Sequence, residues 1–331
     1  MIRGKSKQAF AIVALLLIAV AAILGTRSVA LARPPAVVWK TVEVREPAPY
    51  PTLSLRSAIK LAGLSDAKMV AGSPSGNVLA VLGADGRLQV AAAQSGVVID
   101  RVQAHAPIIH VTWISDRLLF FVTADNVLYT DDVLNQRVRA IAQLDAPAGE
   151  SLREIAFSAY TNDVFVIYAG DGGNTVFQFD TNEHMYERSI ANLAIRRAYD
   201  STTALTLYLS DASNRLYQWR SGALQQIATH VAIIAGRGNT VYGASLNQAG
   251  QAISVKAYNG ERWHTIGTLR QPVRPADIVI DHTGRIYVVH RDALIDPAKG
   301  LTWLAPPGAR LMLAGHDILL VRGSMYRVIV D

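Results

Sequence analysis

One short pattern recurs seven times along this chain: a polar turn, an apolar strand, a turn rich in Asp, Asn and Gly, then another strand. That repetition constrains the fold more than any single residue does. The second strand of each unit begins near Val78, Leu118, Val164, Leu205, Val241, Ile286 and Ile318. Successive starts are separated by 40, 46, 41, 36, 45 and 32 residues. The turn that follows also recurs, at Asp85-Gly86, Asp125-Asn126, Asp171–Asn174, Asp211–Asn214, Asn247–Gly250, Arg291-Asp292 and Arg322-Gly323. Asp, Asn and Gly accept the positive φ that tight hairpins demand. Third strands then alternate, as in Thr175–Phe179, Arg215–Trp219 and Met325–Ile329, and a further turn closes most units, at Ser95-Gly96, Asn135-Gln136, Thr181-Asn182, Ser221-Gly222, Asn259-Gly260 and Lys299-Gly300.

A period of about 40 residues with four short strands is the period of a propeller blade. Residues 52–331 are therefore predicted to form an all-β, seven-bladed β-propeller. The seventh unit stops at Asp331, just after its third strand. Ser54–Leu61 precedes the first strand of unit one, where a fourth strand sits in every other unit. It is expected to complete blade seven and close the ring, removing an open sheet edge. The chain resembles the WD-repeat and YVTN-type propellers over residues 52–331. Ser73-Pro74-Ser75-Gly76-Asn77 is similar to the serine-proline-acid-glycine turn of such repeats. Phe179-Asp180 and Trp219-Arg220 stand where the tryptophan–aspartate pair would be, and Ala104-His105, before Ile108–Trp113, resembles the glycine–histidine position. No unit carries the full histidine–aspartate–hydroxyl–tryptophan network. The resemblance implies a fold; fold alone does not give function.

Residues 1–32 have a different character. Arg3, Lys5 and Lys7 precede an unbroken apolar run, Ala9–Gly25. At 1.5 Å per residue the run extends about 25 Å, close to the ~30 Å hydrocarbon core of a bilayer. An uncleaved signal-anchor is the favoured reading; Ala30-Leu31-Ala32 leaves open a signal peptide cleaved near Ala32, which would give a secreted or periplasmic protein. Either way the basic start stays cytoplasmic and the rest is exported. No twin-Arg precedes the run, so export as an unfolded chain is expected. Prolines at 34, 35, 47, 49 and 51 make residues 33–51 a semi-rigid stalk, in which Val37–Arg45 alternates like a strand. The organisation expected is a single-pass protein of a bacterial cell membrane, with its propeller on the extracytoplasmic side.

The chemistry-bearing residues are few. There is no cysteine, which excludes disulfides, thiolate metal sites, a cysteine nucleophile and acylation at cysteine. There is no Gly-x-Ser-x-Gly, phosphate loop or His-Glu-x-x-His. Tyr168–Asn174 is glycine-rich but lies between two strands, as a hairpin would. His105 and His110 are five apart and lack a third converging ligand, and Asp131-Asp132 and Asp281 lack calcium-loop spacing. No metal or cofactor is expected. The formal charge of +6 owes four charges to residues 1–32, leaving +2 for the rest, so no nucleic-acid partner is expected. Trp113, Trp219, Trp263 and Trp303 are expected to pack blades together.

Ligands of propellers sit at a mouth of the central channel. The innermost strands are predicted at Lys68–Gly72, Ile108–Trp113, Leu152–Phe157, Ile195–Tyr199, Val231–Ala235, Ala276–Ile280 and Arg310–Leu313. Lys68, Arg153, Arg196, Arg197 and Arg310 lie near strand starts, with Glu154, Asp200 and Asp277 available to oppose them. Arg153, Arg196, Arg197 and Arg310 form the candidate ligand site: a basic mouth for an acidic partner. The expected function is a non-catalytic binding or scaffolding module for a protein or peptide. The competing expectations are an exported propeller enzyme, of lactonase, lyase, glycosidase or quinone-dependent dehydrogenase type, and a subunit of a membrane complex.

Overall fold

A computed structural model describes residues 51–331 apart from 57, 62, 64–65, 159–160, 181–183, 191–192, 201–205, 221, 238, 282, 315–316 and 331. The apolar run 9–25, the cleavage motif at Ala32 and the stalk up to residue 50 lie outside the described residues, as do His282 and His316. Among the described residues no helix is long and apolar enough to cross a membrane.

The strands form seven four-stranded antiparallel sheets arranged as a seven-bladed propeller. The innermost strands are β2 (Ala67–Gly72), β6 (Ile108–Trp113), β10 (Ser151–Phe157), β14 (Ile195–Asp200), β18 (Val231–Arg237), β22 (Ile278–Ile280) and β26 (Arg310–Ala314). Each sheet then runs outward in chain order, except that blade seven takes its outermost strand from the N-terminal side. The predicted second strands begin within one residue of those observed: Val78, Leu118, Val164, Thr206, Thr240, Ile286 and Asp317. One inner strand is shorter than predicted. Ala276 lies in a 3-10 turn, Pro275–Asp277, because Pro275 fixes a helical φ and Asp277 is tied back to Arg274.

Short polar side chains build the hairpins. Asp211 Oδ1 accepts the backbone N–H groups of Ser213 and Arg215, both at 2.9 Å. Asn247 Oδ1 does the same for Ala249 at 3.0 Å and Gln251 at 2.9 Å. Each such side chain imitates a backbone turn. Positive φ follows in the hairpins between second and third strands, at Gly86, Asn126, Asn214, Gly250, Arg291 and Gly323. Gly86 has a second reason to lack a side chain, since a Cβ there would meet Pro107 at 2.5 Å. Its carbonyl accepts the N–H of Ile108 at 3.0 Å, and Asn214 O accepts that of Val231 at 3.0 Å. The hairpin of one blade thus fixes where the next begins.

The core is distributed over the seams. Each buried apolar cluster joins two adjacent blades: Leu82 and Val90 with Phe121 across blades one and two, Phe165 with Leu207 across three and four, Val255 with Ile280 across five and six. Strands such as Val164–Gly170 are buried on both faces for this reason. Trp113 and Trp219 are core residues, and Trp263 and Trp303 pack against seams. Indole N–H groups staple neighbouring blades: Trp113 Nε1 donates to Ala71 O at 3.0 Å and Trp263 Nε1 to Ile227 O at 3.3 Å.

The ring closes as predicted, with a shorter strand. Among the described residues of Ser54–Leu61, strand pairing is made by β1 (Ile59–Lys60), antiparallel to β28 (Met325–Val330), with Ile59 opposite Tyr326. Leu61 continues into the blade seven–blade one core, where it packs with Val70, Val81 and Leu319. Tyr326 is fully buried there and its hydroxyl donates to Ala93 O of blade one at 3.0 Å. A Cβ at Gly96 would meet Ile59 Cγ2 at 2.2 Å, so the closing strand needs a glycine in blade one. The sequence pattern does not announce one contact: Thr52 bridges to Leu304 in a parallel pairing, and Leu53 N donates to Leu304 O at 2.7 Å. The chain therefore runs along the rim of blade six before completing blade seven.

Candidate functional site

Four innermost strands share an irregularity. The register slips by one residue between Ala67 and Met69, Ile108 and His110, Leu152 and Glu154, and Ile195 and Arg197. The inserted residues are Lys68, Ile109, Arg153 and Arg196. A bulge frees one residue from the ladder, sharpens the local twist and re-aims side chains. β18 has a bulge too, at Ile234, further along the strand. Two cations are thereby placed on bulges of blades one and four that face the channel.

A cavity of about 950 Å³ occupies the channel. Its charged walls are Lys68, Arg196, Arg197 and Arg274, with Ser210 and Asn214 adding polar atoms. Its apolar walls include Met69, Ile233, Ile234, Val279, Met312 and Leu313. The cations are not equivalent. Arg274 holds Asp277 in a two-pronged pair, Nη2 to Oδ1 at 2.7 Å and Nε to Oδ2 at 3.1 Å, so its charge is spent locally. Among the described residues no carboxylate pairs with Lys68 or Arg196.

Of the four arginines expected at a mouth, the structure brings two to this cavity. Arg153 is exposed and its Nε donates to Ala169 O of its own blade at 3.3 Å; Arg310 is exposed at the start of β26. Neither is among the cavity walls. Of the three acids expected to oppose the arginines, Asp277 takes Arg274 and Glu154 faces Arg197; nothing is described of the Asp200 side chain.

Beside Arg197 stands a pair that sequence reasoning did not assemble. His110 Nε2 lies 3.8 Å from Glu154 Oε1, with the two side chains 19% and 21% exposed. Burial, with help from Arg197 and Lys68, pushes the His110 imidazole down to about 4, so it is neutral near pH 7. Burial pushes the Glu154 carboxyl up to about 7, and Arg197 opposes that rise. A belt of titratable groups thus crosses four blades: Lys68, His110, Glu154, Arg197. The signal was present in the sequence, since all four lie within two residues of the bulge in successive inner strands. The pairing requires the ring, which no local pattern displays. His105 is exposed in the loop before β6 and takes no part. Among the described residues no three His, Asp or Glu side chains converge as a metal site would require.

A second titratable pair lies away from the channel. Asp131 of β8 (Val127–Asp132) is fully buried against Asp100 of β5 (Val98–Val102), in the seam between blades two and one. Neither Asp131 oxygen nor Asp100 Oδ2 has a donor. Burial first, then Asp100, raises the Asp131 carboxyl to about 7. A proton on the Asp131 carboxyl supplies the donor that this pair otherwise lacks.

No protein-family model matches the chain, and no curated protein sequence matches it.

Proposed function

We propose that this protein is a binding module: an extracytoplasmic propeller, tethered to the cell membrane through residues 9–25, that captures an acidic segment of a protein or peptide at its channel. The observation that carries this reading is the cavity with Lys68, Arg196 and Arg197 in its wall, of which Lys68 and Arg196 lack a carboxylate partner among the described residues. Guanidinium groups recognise carboxylates through charge-assisted, often bidentate hydrogen bonds. The basic start, the apolar run and the proline-rich stalk support export with the domain held off the membrane.

Arg196→Ala with Arg197→Ala tests the reading. The double variant should lose partner capture from membrane extracts while keeping its melting temperature, and raised salt should weaken the wild type likewise. Unchanged capture by the double variant removes the channel as the docking site. Fractionation with N-terminal sequencing tests the tether. The full chain should sediment with membranes, a mature chain starting at Arg33 would leave export without an anchor, and a cytosolic pool would refute both.

One observation favours the runner-up, an exported enzyme. Glu154, with its carboxyl raised to about 7, sits beside a neutral imidazole, as a general acid–base pair does. Only these two such groups converge among the described residues, fewer than propeller enzymes bring to their channels, so the binding reading stands first.

A further inference from the structure

The cavity wall is part charged and part apolar. Lys68 and Arg197 belong to blades one and four, while Ile233 and Ile234 come from blade five and Met312 and Leu313 from blade seven. A ligand matched to it carries a compact negative charge next to apolar groups. A segment that enters the cavity in mid-chain must double back on itself. A chain end enters singly.

The walls also offer main-chain groups. Each innermost strand is the end strand of its sheet, so one edge of β2, β14, β18, β22 and β26 faces the channel without a neighbouring strand. The bulges at Lys68, Arg196 and Ile234 free further N–H and C=O groups from the ladder. A peptide backbone supplies matching donors and acceptors. A simple amphiphile, such as a fatty acid, has only its head group to offer and leaves those edges unmatched.

We infer that the cavity receives the C-terminal tail of a protein partner, with the terminal carboxylate held by Lys68 and Arg197 and the last apolar side chains seated on Ile233, Ile234, Met312 and Leu313. This rests on the reading of the channel as a peptide-binding site and narrows its ligand to a free C-terminus. A cavity of this size suits such an end, since pockets of several hundred Å³ bury most of a drug-sized ligand.

The test compares fluorescein-labelled hexapeptides by anisotropy on the full-length chain. One set ends in two residues drawn from Leu, Val and Phe, as free acids. A second set has the same sequences as C-terminal amides. A third is amidated and carries one internal glutamate. Free acids should bind at least tenfold more tightly than their amides, and Arg197→Gln should remove most of that difference. Equal binding of acid and amide on the wild-type chain overturns the inference whether or not the variant folds. Tighter binding of the internal-glutamate set overturns it too, while leaving capture of an acidic segment in place. Octanoate serves as the small-amphiphile probe; displacement of the peptides by octanoate at lower concentration assigns the cavity to such molecules instead. No binding by any set also rejects the inference, and the Arg196/Arg197 capture assay then decides separately whether the broader reading survives.

Discussion

Replacing Asp131 by asparagine should make the propeller more stable at alkaline pH and nearly unchanged at acidic pH. Asp131 is fully buried beside Asp100, with no donor to either of its oxygens. Its carboxyl is raised from 3.8 to about 7 in the folded chain. A folded pKa above the unfolded one means that the native state holds the proton more tightly. Stability from this group is therefore complete below about pH 4 and is lost as pH rises to 7. A tenfold difference in proton affinity between the folded and unfolded chain corresponds to about 1.36 kcal/mol. Between pH 5 and pH 7 the wild type should therefore lose about 2 kcal/mol, with a few tenths more by pH 8. That is a large share of the 5–15 kcal/mol typical of a folded protein. The amide of the Asp131→Asn variant cannot titrate, and it donates to Asp100 much as the protonated acid does. Urea unfolding of the full-length chain at half-unit pH steps reads the difference. Subtracting variant from wild type at each pH removes the contributions of Glu154 and His110, which both share. The gap should widen by about 2 kcal/mol and a few tenths more from pH 5 to pH 8. Parallel curves would refute the shared-proton account of this seam.

The channel, the closing strand and the last seam each give a further expected outcome. Binding at Arg197 should weaken about tenfold between pH 6 and pH 8, because Glu154 titrates at about 7 and its ionised form competes for the guanidinium; His110 is neutral throughout that window, so Glu154→Gln should flatten the profile. Deleting residues 52–62 should expose the edge of β28 and cause aggregation, while deleting 33–50 should leave the melting temperature unchanged; equal melting of both deletions and the full chain would remove β1 as the closing strand. Tyr326→Phe should cost roughly 1 kcal/mol in urea unfolding, since it leaves Ala93 O without the 3.0 Å hydrogen bond that joins blades seven and one; no loss would mean that another donor serves that carbonyl.

Most of the fold was legible because a blade is built from local signals. Asp211 and Asn247 are turn residues whose side chains act within four positions, and Asn214 takes the positive φ of its hairpin, so the second strands could be placed to within one residue. The missing fourth strand of unit seven pointed to an N-terminal closing segment, since unit seven would otherwise lack the outer strand that the other blades carry. What escaped was non-local. The parallel bridge from Thr52 to Leu304 depends on how the chain approaches blade six, and neither residue advertises a partner. Ala276 read as strand from the apolar run beside it, but Pro275 and the Arg274–Asp277 pair overrode that run.

The site was legible only in part, and the bulges explain why. An unbroken strand alternates sides strictly, so one residue of slip turns every later side chain over. Lys68, Arg153 and Arg196 occupy the same extra position in their strands, yet Lys68 and Arg196 line the cavity while Arg153 bonds back to Ala169. Position in the repeat therefore does not fix the fate of a side chain. The partner that each side chain meets does. In blade four the residue after the bulge is Arg197, which reaches both the cavity and Glu154; in blade three it is Glu154, which turns to His110. In blade seven Arg310 starts a strand whose register with β27 (Asp317–Arg322) is unbroken, so no bulge re-aims it toward the cavity. The binding chemistry thus arises from irregularities placed on a regular ring. A change that restored regular pairing at Lys68 or Arg196 would erase the site while leaving all seven blades intact.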